Sequence, residues 1–199
     1  MISIERLFTL TAQKAISLEP INGRGVFSAE DAAGVIAQAM KTCPVGVRIL
    51  EARIAGNKGA SLELREIVKD KLIGEGRESS EAAALARLVV HEVCGTKVCP
   101  KCNGNGFNIT NFTKGTRVDC HGCNGVGQII LSCDDLAYMM GRILNWRMTK
   151  SRREQFVSEY YDQYSQVVDW MYRAAGDADS ECKRILRLVA EQQGWAACS

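Results

Sequence analysis

Apolar side chains recur at spacings of three and four residues along most of the chain, which is the pattern of amphipathic helices packed on a core. Residues suited to helix N-caps stand before these apolar stretches, usually with acidic residues close behind them. The expected caps are Ser28, Ser61, Ser79 or Ser80, Ser132, and Thr149 or Ser151, and Pro44 is expected to open one further helix. The pattern therefore predicts a mainly α protein.

Glycines mark the expected helix ends, because glycine readily adopts the left-handed conformation that closes a helix. Gly176 is predicted to end the helix that begins near Thr149, and a last helix is predicted to run from Asp177 or Ser180 to Gly194. The pattern is weakest over residues 1–27, where no element is assigned.

A doubled motif interrupts the helical pattern: CPKCNGNG at residues 99–106 is followed by CHGCNGVG at 120–127. Two residues between cysteines let both sulfurs reach one metal ion from a tight turn, and the glycines bring backbone amides near the thiolates. Four thiolates fit a closed tetrahedral site, which is structural rather than catalytic. The predicted ligands of a single structural Zn²⁺ are Cys99, Cys102, Cys120 and Cys123.

Other residues near the motif are expected to play lesser parts. His121 lies inside the second copy and is expected to be a bystander, since four cysteines already fill the site. Cys94 and Cys133 are expected to be small buried side chains. The segments 107–112 and 128–131 have strand-like composition, and we expect them to form a short two-stranded ribbon.

Composition adds bounds on the environment of the protein. The chain has nine cysteines and no recognisable secretion signal, which favours reduced thiols and a metal over disulfides. No apolar run is long enough for a membrane span, so a cytoplasmic protein without membrane contact is expected. The net charge is only +2, so nucleic-acid binding has to be argued from local clustering of cations.

These observations predict a mainly α fold: a helical bundle with an inserted four-cysteine zinc ribbon or knuckle module and a C-terminal helix-turn-helix. The expected parts are a helical N-terminal region (1–95), a zinc-binding module (96–131), and the helix-turn-helix with the C-terminal helix (132–199). The last part is expected to form one compact domain with residues 80–95.

A cluster of cations follows the zinc module, at the point where a short helix and a turn precede a long helix. A recognition helix contacts DNA through its N-terminal residues, where its amides and dipole also favour phosphate. The predicted DNA-binding residues are Arg147, Lys150, Arg152, Arg153 and Gln155, with Arg152, Arg153 and Gln155 facing the major groove and Arg147 and Lys150 the backbone. Additional backbone contacts are considered at Lys101, Lys114, Arg117 and Arg142. The alternative is a solvated basic loop between two core helices. The aromatic residues expected in the core are Trp146, Phe156, Tyr160 and Tyr164.

No catalytic constellation is recognisable: the two histidines lie far apart in sequence, and no phosphate-binding glycine loop follows a strand. We therefore expect a protein that is not an enzyme. The paired motif also resembles the cysteine-rich region of J-domain co-chaperones, but those carry more repeats and a His-Pro-Asp motif, which this chain lacks.

In motif and order, the chain is similar to the lambda-type Q antitermination proteins of lambdoid phages. The resemblance covers roughly residues 80–190: the helix ending at Cys94, the knuckles from Cys99 to Gly127, and the segment from Ala137 to Asp162. It implies a cytoplasmic, nucleoid-associated protein of a phage-infected bacterium that binds a DNA element at the late promoter. It also implies contact with the β flap and sigma region 4 of host RNA polymerase, which then reads through pauses and terminators.

Two other classes stay open at this point. One is a zinc-containing, chaperone-like protein-interaction module without DNA binding. The other is a thiol–disulfide enzyme that uses a Cys-x-x-Cys pair, although the glycine-rich knuckles and the lack of a βαβ pattern argue against it.

Overall fold

The computed structural model describes residues 2–12, 27–95, 97–111, 115–129 and 131–192. Over these residues the protein is mainly helical, as the apolar periodicity predicts, and it carries a two-stranded sheet. The chain forms two compact units, one within Met1–Cys94 and Ser158–Ser199 and the other within Gly95–Val157. The second unit groups residues 132–157 with the cysteine-rich segment, whereas the sequence-based division joined them to residues 80–95.

The elements follow in the order α1 (Ile4–Ala12), α2 (Ala29–Thr42), α3 (Pro44–Ile54), α4 (Lys58–Gly74), α5 (Ser79–Cys94), β1 (Phe107–Asn111), β2 (Thr116–Asp119), α6 (Cys133–Ile143), α7 (Lys150–Gln155) and α8 (Tyr161–Gln192). A π-helical turn, Phe156–Tyr160, lies between α7 and α8. Helix α1 lies where the sequence assigned no element, and it buries Ile4, Leu7 and Phe8. Within the described residues, none of the helices combines the length and the apolar content that a membrane span requires.

Two helices begin at the predicted caps Ser28 and Ser132, and the structure completes both of them as capping boxes. At α2 the Ser28 hydroxyl accepts from the amide of Asp31, and the Asp31 carboxylate accepts from the amide of Ser28. Ser132 and Asp135 repeat this arrangement at α6. Each box satisfies two backbone amides that the first turn of a helix leaves unpaired, which fixes where the helix starts.

Four predicted helix boundaries are wrong: the caps of α4 and α5, the end at Gly176, and the start of a separate last helix at Asp177 or Ser180. Helix α5 begins at Ser79, and the carboxylate of Glu78, rather than a serine, accepts from the amides of its first turn. Asn57 rather than Ser61 caps α4, because its side-chain oxygen accepts from a backbone amide one turn earlier than expected. Helix α8 does not end at Gly176 but continues through it to its last described turn. A glycine inside a helix costs only about 1 kcal/mol relative to alanine, and the apolar face of α8 is buried on both sides of it. The predicted end at Gly194 lies outside the described residues.

The core of the first unit is built around a close crossing of α3 and α8. A Cβ atom placed on Gly46 would lie 2.0 Å from the carbonyl oxygen of Ala174 and 2.7 Å from the Cβ of Ala178. Only glycine fits this position of α3, because any side chain would push the two backbones apart. Helix α8 is therefore seated on α3 through direct backbone contact.

A polar network fixes the π-helical turn and the start of α8 against the loop before α5. The Tyr160 hydroxyl donates to Glu81 at 2.6 Å, and the Arg77 guanidinium stacks 4.7 Å from the centre of the Tyr160 ring. Arg77 also donates to the side chain of Gln163 and to the carbonyl of Glu159, both at 2.9 Å. Tyr160 is 2% exposed, so its hydroxyl meets its hydrogen-bonding need inside the protein.

Candidate metal centre and basic surface

The four motif cysteines converge in the second unit and are buried. The Sγ atoms of Cys99 and Cys120 are 3.9 Å apart, those of Cys102 and Cys123 are 3.7 Å apart, and all four lie within 4.8 Å of one another. A disulfide requires a separation of about 2.05 Å. Four thiolates around one ion at metal–sulfur distances of about 2.3 Å lie about 3.8 Å apart. The cluster therefore has the dimensions to hold a metal ion.

The backbones of the two knuckles, 99–106 and 120–127, are conformational copies of each other. In each, the asparagine and the two glycines after the second cysteine adopt positive φ angles. The angles are 49°, 86° and 78° at Asn103, Gly104 and Gly106, and 49°, 83° and 78° at Asn124, Gly125 and Gly127. Asparagine and glycine are the residues that adopt this region most readily, which explains why both types occur in each copy of the motif.

Each knuckle also forms part of the wall of the other. A Cβ on Gly106 would lie 2.3 Å from the carbonyl oxygen of Gly125, and a Cβ on Gly127 would lie 2.3 Å from that of Gly104. The first amide of each copy donates to the last glycine carbonyl of the other, at 2.9 Å in both cases. The final glycines are required because the two backbones touch there, and the sulfur cluster depends on that contact.

Backbone amides point at the sulfurs and favour their charged form. The last glycine amides of the two copies donate to Cys102 and Cys123 at 3.3 and 3.1 Å. The amide of Gly122 donates to Cys120 and lowers the pKa of that thiol. Burial has the opposite effect on Cys123, whose pKa it raises. Amide hydrogen bonds thus favour the thiolate form, while burial disfavours it. A bound cation would stabilise all four thiolates, because its positive charge compensates the buried negative charge that the amides stabilise only in part.

The ribbon beside the cluster differs from the predicted one. Strand β1 pairs antiparallel with β2, so that Phe107 faces Asp119 and Ile109 faces Arg117. The predicted second strand at 128–131 is wrong: within the described residues of that segment, only Gln128 pairs, in an isolated bridge to Val98. Strand β1 pairs with β2 because β2 is nearer to it in sequence than residues 128–131 are. The backbone just after the second knuckle pairs with Val98 instead.

The other described cysteines and the motif histidine stay outside the cluster. His121 is exposed, and it is not among the grouped ligand atoms, in agreement with the bystander prediction. Cys94 and Cys133 are half-buried rather than buried, and burial raises the pKa of Cys94 to about 11. Cys182 is buried in α8, and Cys198 lies outside the described residues.

Helices α6 and α7 follow the cysteine-rich segment predicted as the zinc-binding module (96–131), which is called the metal module below. The two helices are joined by the six residues 144–149. This connection is held against α6: the amide of Trp146 donates to the carbonyl of Gly141 at 2.8 Å, and the Met148 side chain lies over the bare backbone of Gly141. Asn145 makes the turn with φ 54°. Thr149 caps α7, as predicted. The order helix, connection, helix is present, while a helix-turn-helix crossing stays a prediction.

The predicted DNA-binding residues form what is called the basic surface below: Arg147, Lys150, Arg152, Arg153 and Gln155. Among its cations, Arg152 has the most contacts with neighbouring side chains. Its guanidinium lies 4.7 Å from the centre of the Trp146 ring, and its Nη1 donates to the side-chain oxygen of Gln155 at 2.7 Å. All three side chains are half-buried. Trp146, which the sequence placed in the core, instead forms a half-exposed platform, whereas Phe156, Tyr160 and Tyr164 are buried as expected.

The remaining cations of this surface are exposed, and two of them form long ion pairs. Arg153 lies 3.9 Å from Asp134 with 52% of its side chain exposed, and Lys150 lies 3.8 Å from Glu154 with 88% exposed. Arg147 is also exposed. Exposed ion pairs of this kind contribute about 0–1 kcal/mol, so an approaching phosphate can replace the carboxylates at small cost.

The four residues considered for additional backbone contacts are spread over the second unit. Arg142 is exposed on α6, and the Lys101 side chain packs over the backbone of Gly122. The guanidinium of Arg117 stacks 4.5 Å from the centre of the Phe107 ring. Lys114 lies outside the described residues. The described cations thus occur on the metal module as well as on α6 and α7.

Comparison with known families adds one assignment. The family model described as conserved hypothetical protein CHP02642 matches residues 1–98 and 95–191, which together span nearly the whole chain. The chain belongs to this family. No curated protein matches it. The family match includes both knuckles, α6, α7 and most of α8, so the metal module and the basic surface both fall inside the matched region.

Sequence reasoning missed three features of the site, one of which is the contact of the Trp146 ring with Arg152. The mutual contact of the knuckles was not expected, although the repeated Cys-x-x-Cys-x-Gly-x-Gly pattern itself signals two equivalent halves. The pairing of Asp134 with Arg153 was also missed. Nothing in the spacing of these two residues indicates that they meet.

Proposed function

We propose that this protein is a DNA-binding transcription regulator whose basic surface is held in place by a structural zinc ion. The observation that carries the proposal is the occurrence, in one compact unit, of a closed four-cysteine cluster and an exposed cation cluster at the start of a capped helix. DNA affinity depends mainly on cations that neutralise phosphates and release counterions.

Zinc is the proposed ion because four thiolates at tetrahedral spacing are its usual structural ligand set. Cys99, Cys102, Cys120 and Cys123 would hold it, and four protein ligands leave no open position for catalysis. Its contribution would be to lock the two knuckles together, because such modules bind metal and fold in one step. The protein is accordingly proposed to be a binder rather than an enzyme.

The surface proposed for DNA consists of Arg147, Lys150, Arg152, Arg153 and Gln155. Four positive charges fall within seven residues there, and three of their side chains are exposed. The acids nearest to them form only long, exposed ion pairs, which a polyanion can displace. Arg142, Arg117 and Lys101 extend the positive charge of the same unit to its other elements.

The cellular role that we propose is phage transcription antitermination. It rests on the resemblance in motif and order to the lambda-type Q proteins, which carry a four-cysteine zinc module followed by a DNA-binding helical segment. On this proposal the protein binds a promoter element, joins host RNA polymerase through its β flap and sigma region 4, and suppresses termination. It would act in the cytoplasm, at the bacterial nucleoid.

The first test is a footprint of the zinc-loaded protein on promoter fragments from the genome that encodes it, at two salt concentrations. We expect a discrete protected site near a late promoter. The double variant Arg147→Gln, Lys150→Gln should bind more weakly, and its plot of log affinity against log salt should be shallower by about 2 units, because two phosphate contacts are lost.

The double variant Arg173→Gln, Arg187→Gln is the matched control, since it also removes two exposed charges and both residues lie on α8 in the other unit. It should leave both the affinity and the salt dependence unchanged. Equal effects of the two double variants, or no binding by the intact protein, would remove DNA binding from the proposal. A terminator read-through assay with purified polymerase then tests the antitermination step separately.

A second candidate is a protein-interaction module of the chaperone-like type, and one observation favours it. Five aliphatic side chains of the metal module are 38–63% exposed. They are Val98, Ile109, Val118, Val126 and Ile129. Exposed apolar side chains at this density suit contact with other proteins. This candidate predicts that the zinc-loaded protein suppresses aggregation of a denatured client and is indifferent to duplex DNA.

A further inference from the structure

The cations of the basic surface differ in how rigidly they are held, and this difference indicates which of them suit phosphate contacts and which suit base contacts. Arg152 is fixed on two sides, by the Trp146 ring and by Gln155. Arg153 and Lys150 have only exposed carboxylates at 3.9 and 3.8 Å. A mobile cation can contact a phosphate from many directions. Hydrogen bonds to a base edge require a side chain of fixed position and orientation.

The platform under Arg152 is itself fixed. The Trp146 amide donates to the carbonyl of Gly141, so the backbone that carries the ring is anchored to α6. The backbone amide of Arg152 donates to the hydroxyl of Thr149, which fixes the other end of the same side chain. Backbone, ring face and one guanidinium nitrogen are thus all placed before any ligand arrives.

Gln155 uses only part of the donor capacity of Arg152. A guanidinium carries five N–H donors in a planar fork, and the hydrogen bond from Nη1 to Gln155 uses one of them. Guanine presents two acceptors, O6 and N7, in the major groove, and a planar Arg fork is their usual partner. Stacking on an indole face also lowers the entropy that the side chain would lose on binding.

We propose that Arg152, held by Trp146 and Gln155, recognises a guanine in the major groove, and that Arg147, Lys150 and Arg153 contact phosphates. This inference rests on the proposed function, since it names what the same surface recognises. It changes the role of two residues expected to face the groove: Arg153 becomes a backbone contact, and Gln155 becomes a positioning residue for Arg152.

The test begins with selection of preferred sites from a random duplex DNA library by the zinc-loaded, full-length protein. Affinities are then measured for the best duplex and for a shuffled duplex of the same composition. Arg152→Ala should lower the ratio of the two affinities by at least about fivefold, the lower end of the effect of a lost bidentate base contact. Arg153→Ala removes the same charge and should lower both affinities while leaving their ratio unchanged.

A second experiment modifies the DNA instead of the protein, so its result does not depend on whether a protein variant folds. Replacing one guanine at a time by 7-deazaguanine removes its N7 acceptor and preserves base pairing. One position should weaken binding of the intact protein and have no effect on Arg152→Ala. If Arg152→Ala and Arg153→Ala lower both affinities alike, or if no 7-deaza position distinguishes the two proteins, guanine recognition by Arg152 is refuted while DNA binding stands. If the intact protein selects no site, the proposed function fails first.

Discussion

The contact between the two knuckles leads to a quantitative prediction about metal binding. Alanine at position 106 would face two separate penalties. The first is the left-handed backbone, with φ 78°, which costs an L-residue about 1–2 kcal/mol. The second is the collision of the new Cβ with the carbonyl oxygen of Gly125 at 2.3 Å, since forced overpacking costs roughly 1–3 kcal/mol. The sum is about 2–5 kcal/mol for Gly106→Ala.

Gly125→Ala separates the two penalties. Its φ is 83°, but the nearest atom to its new Cβ is 3.7 Å away, at Asp119, so only the backbone penalty applies. On the proposal that zinc binding and folding of the module occur together, these costs would reduce zinc affinity directly. We expect Gly106→Ala to bind zinc more weakly than Gly125→Ala by a further factor of about 5–150, which corresponds to the overpacking cost alone.

The assay is a competition titration with a chromogenic zinc chelator, at fixed pH and with reduced thiols. Gly127→Ala should behave like Gly106→Ala, because its Cβ would meet the Gly104 carbonyl at the same 2.3 Å. Equal zinc affinities of Gly106→Ala and Gly125→Ala would refute the reasoning, since they would mean that the knuckles separate freely at this contact.

Three further predictions concern stability, ligand identity and thiol reactivity. Gly46→Ala should lower the free energy of unfolding by about 3 kcal/mol in a denaturant titration, because its Cβ would strike the Ala174 carbonyl, whereas Gly176→Ala should raise it by about 0.5–1 kcal/mol. Cys102→Ser should lose stoichiometric metal in elemental analysis, while Cys94→Ser should keep it; one tightly retained zinc in Cys102→Ser would show that the ligand set is wrong. Burial raises the pKa of Cys94 to about 11, so its alkylation rate at constant reagent concentration should still be rising between pH 9 and about pH 11, where an unperturbed thiol with a pKa near 8.5 has levelled off.

Local chemistry explains which features the sequence predicted. The capping boxes at Ser28 and Ser132 depend on residues three apart, and the knuckles depend on residues within one turn of each other. Such signals are complete within a few residues, so these two helix starts and the four clustered cysteines could be found without a structure. The mainly α class follows in the same way from the apolar periodicity.

The missed features depend on distant partners. Gly176 resembles a helix end in sequence, but burial of α8 on both sides of it outweighs the small helical penalty of one glycine. The choice of β2 rather than 128–131 as the partner of β1 depends on how the knuckles close. Trp146 has the large aromatic side chain typical of a core residue, and only the structure shows that its ring stacks on Arg152.

The equivalence of the two knuckles also has a kinetic consequence. If the cluster binds zinc as proposed, either pair of cysteines could meet the ion first and the other pair would then close, so loading would have two equivalent routes. By the same equivalence, release could begin at either knuckle. Rigidifying one knuckle would remove one of the two routes, so metal exchange should become slower without stopping.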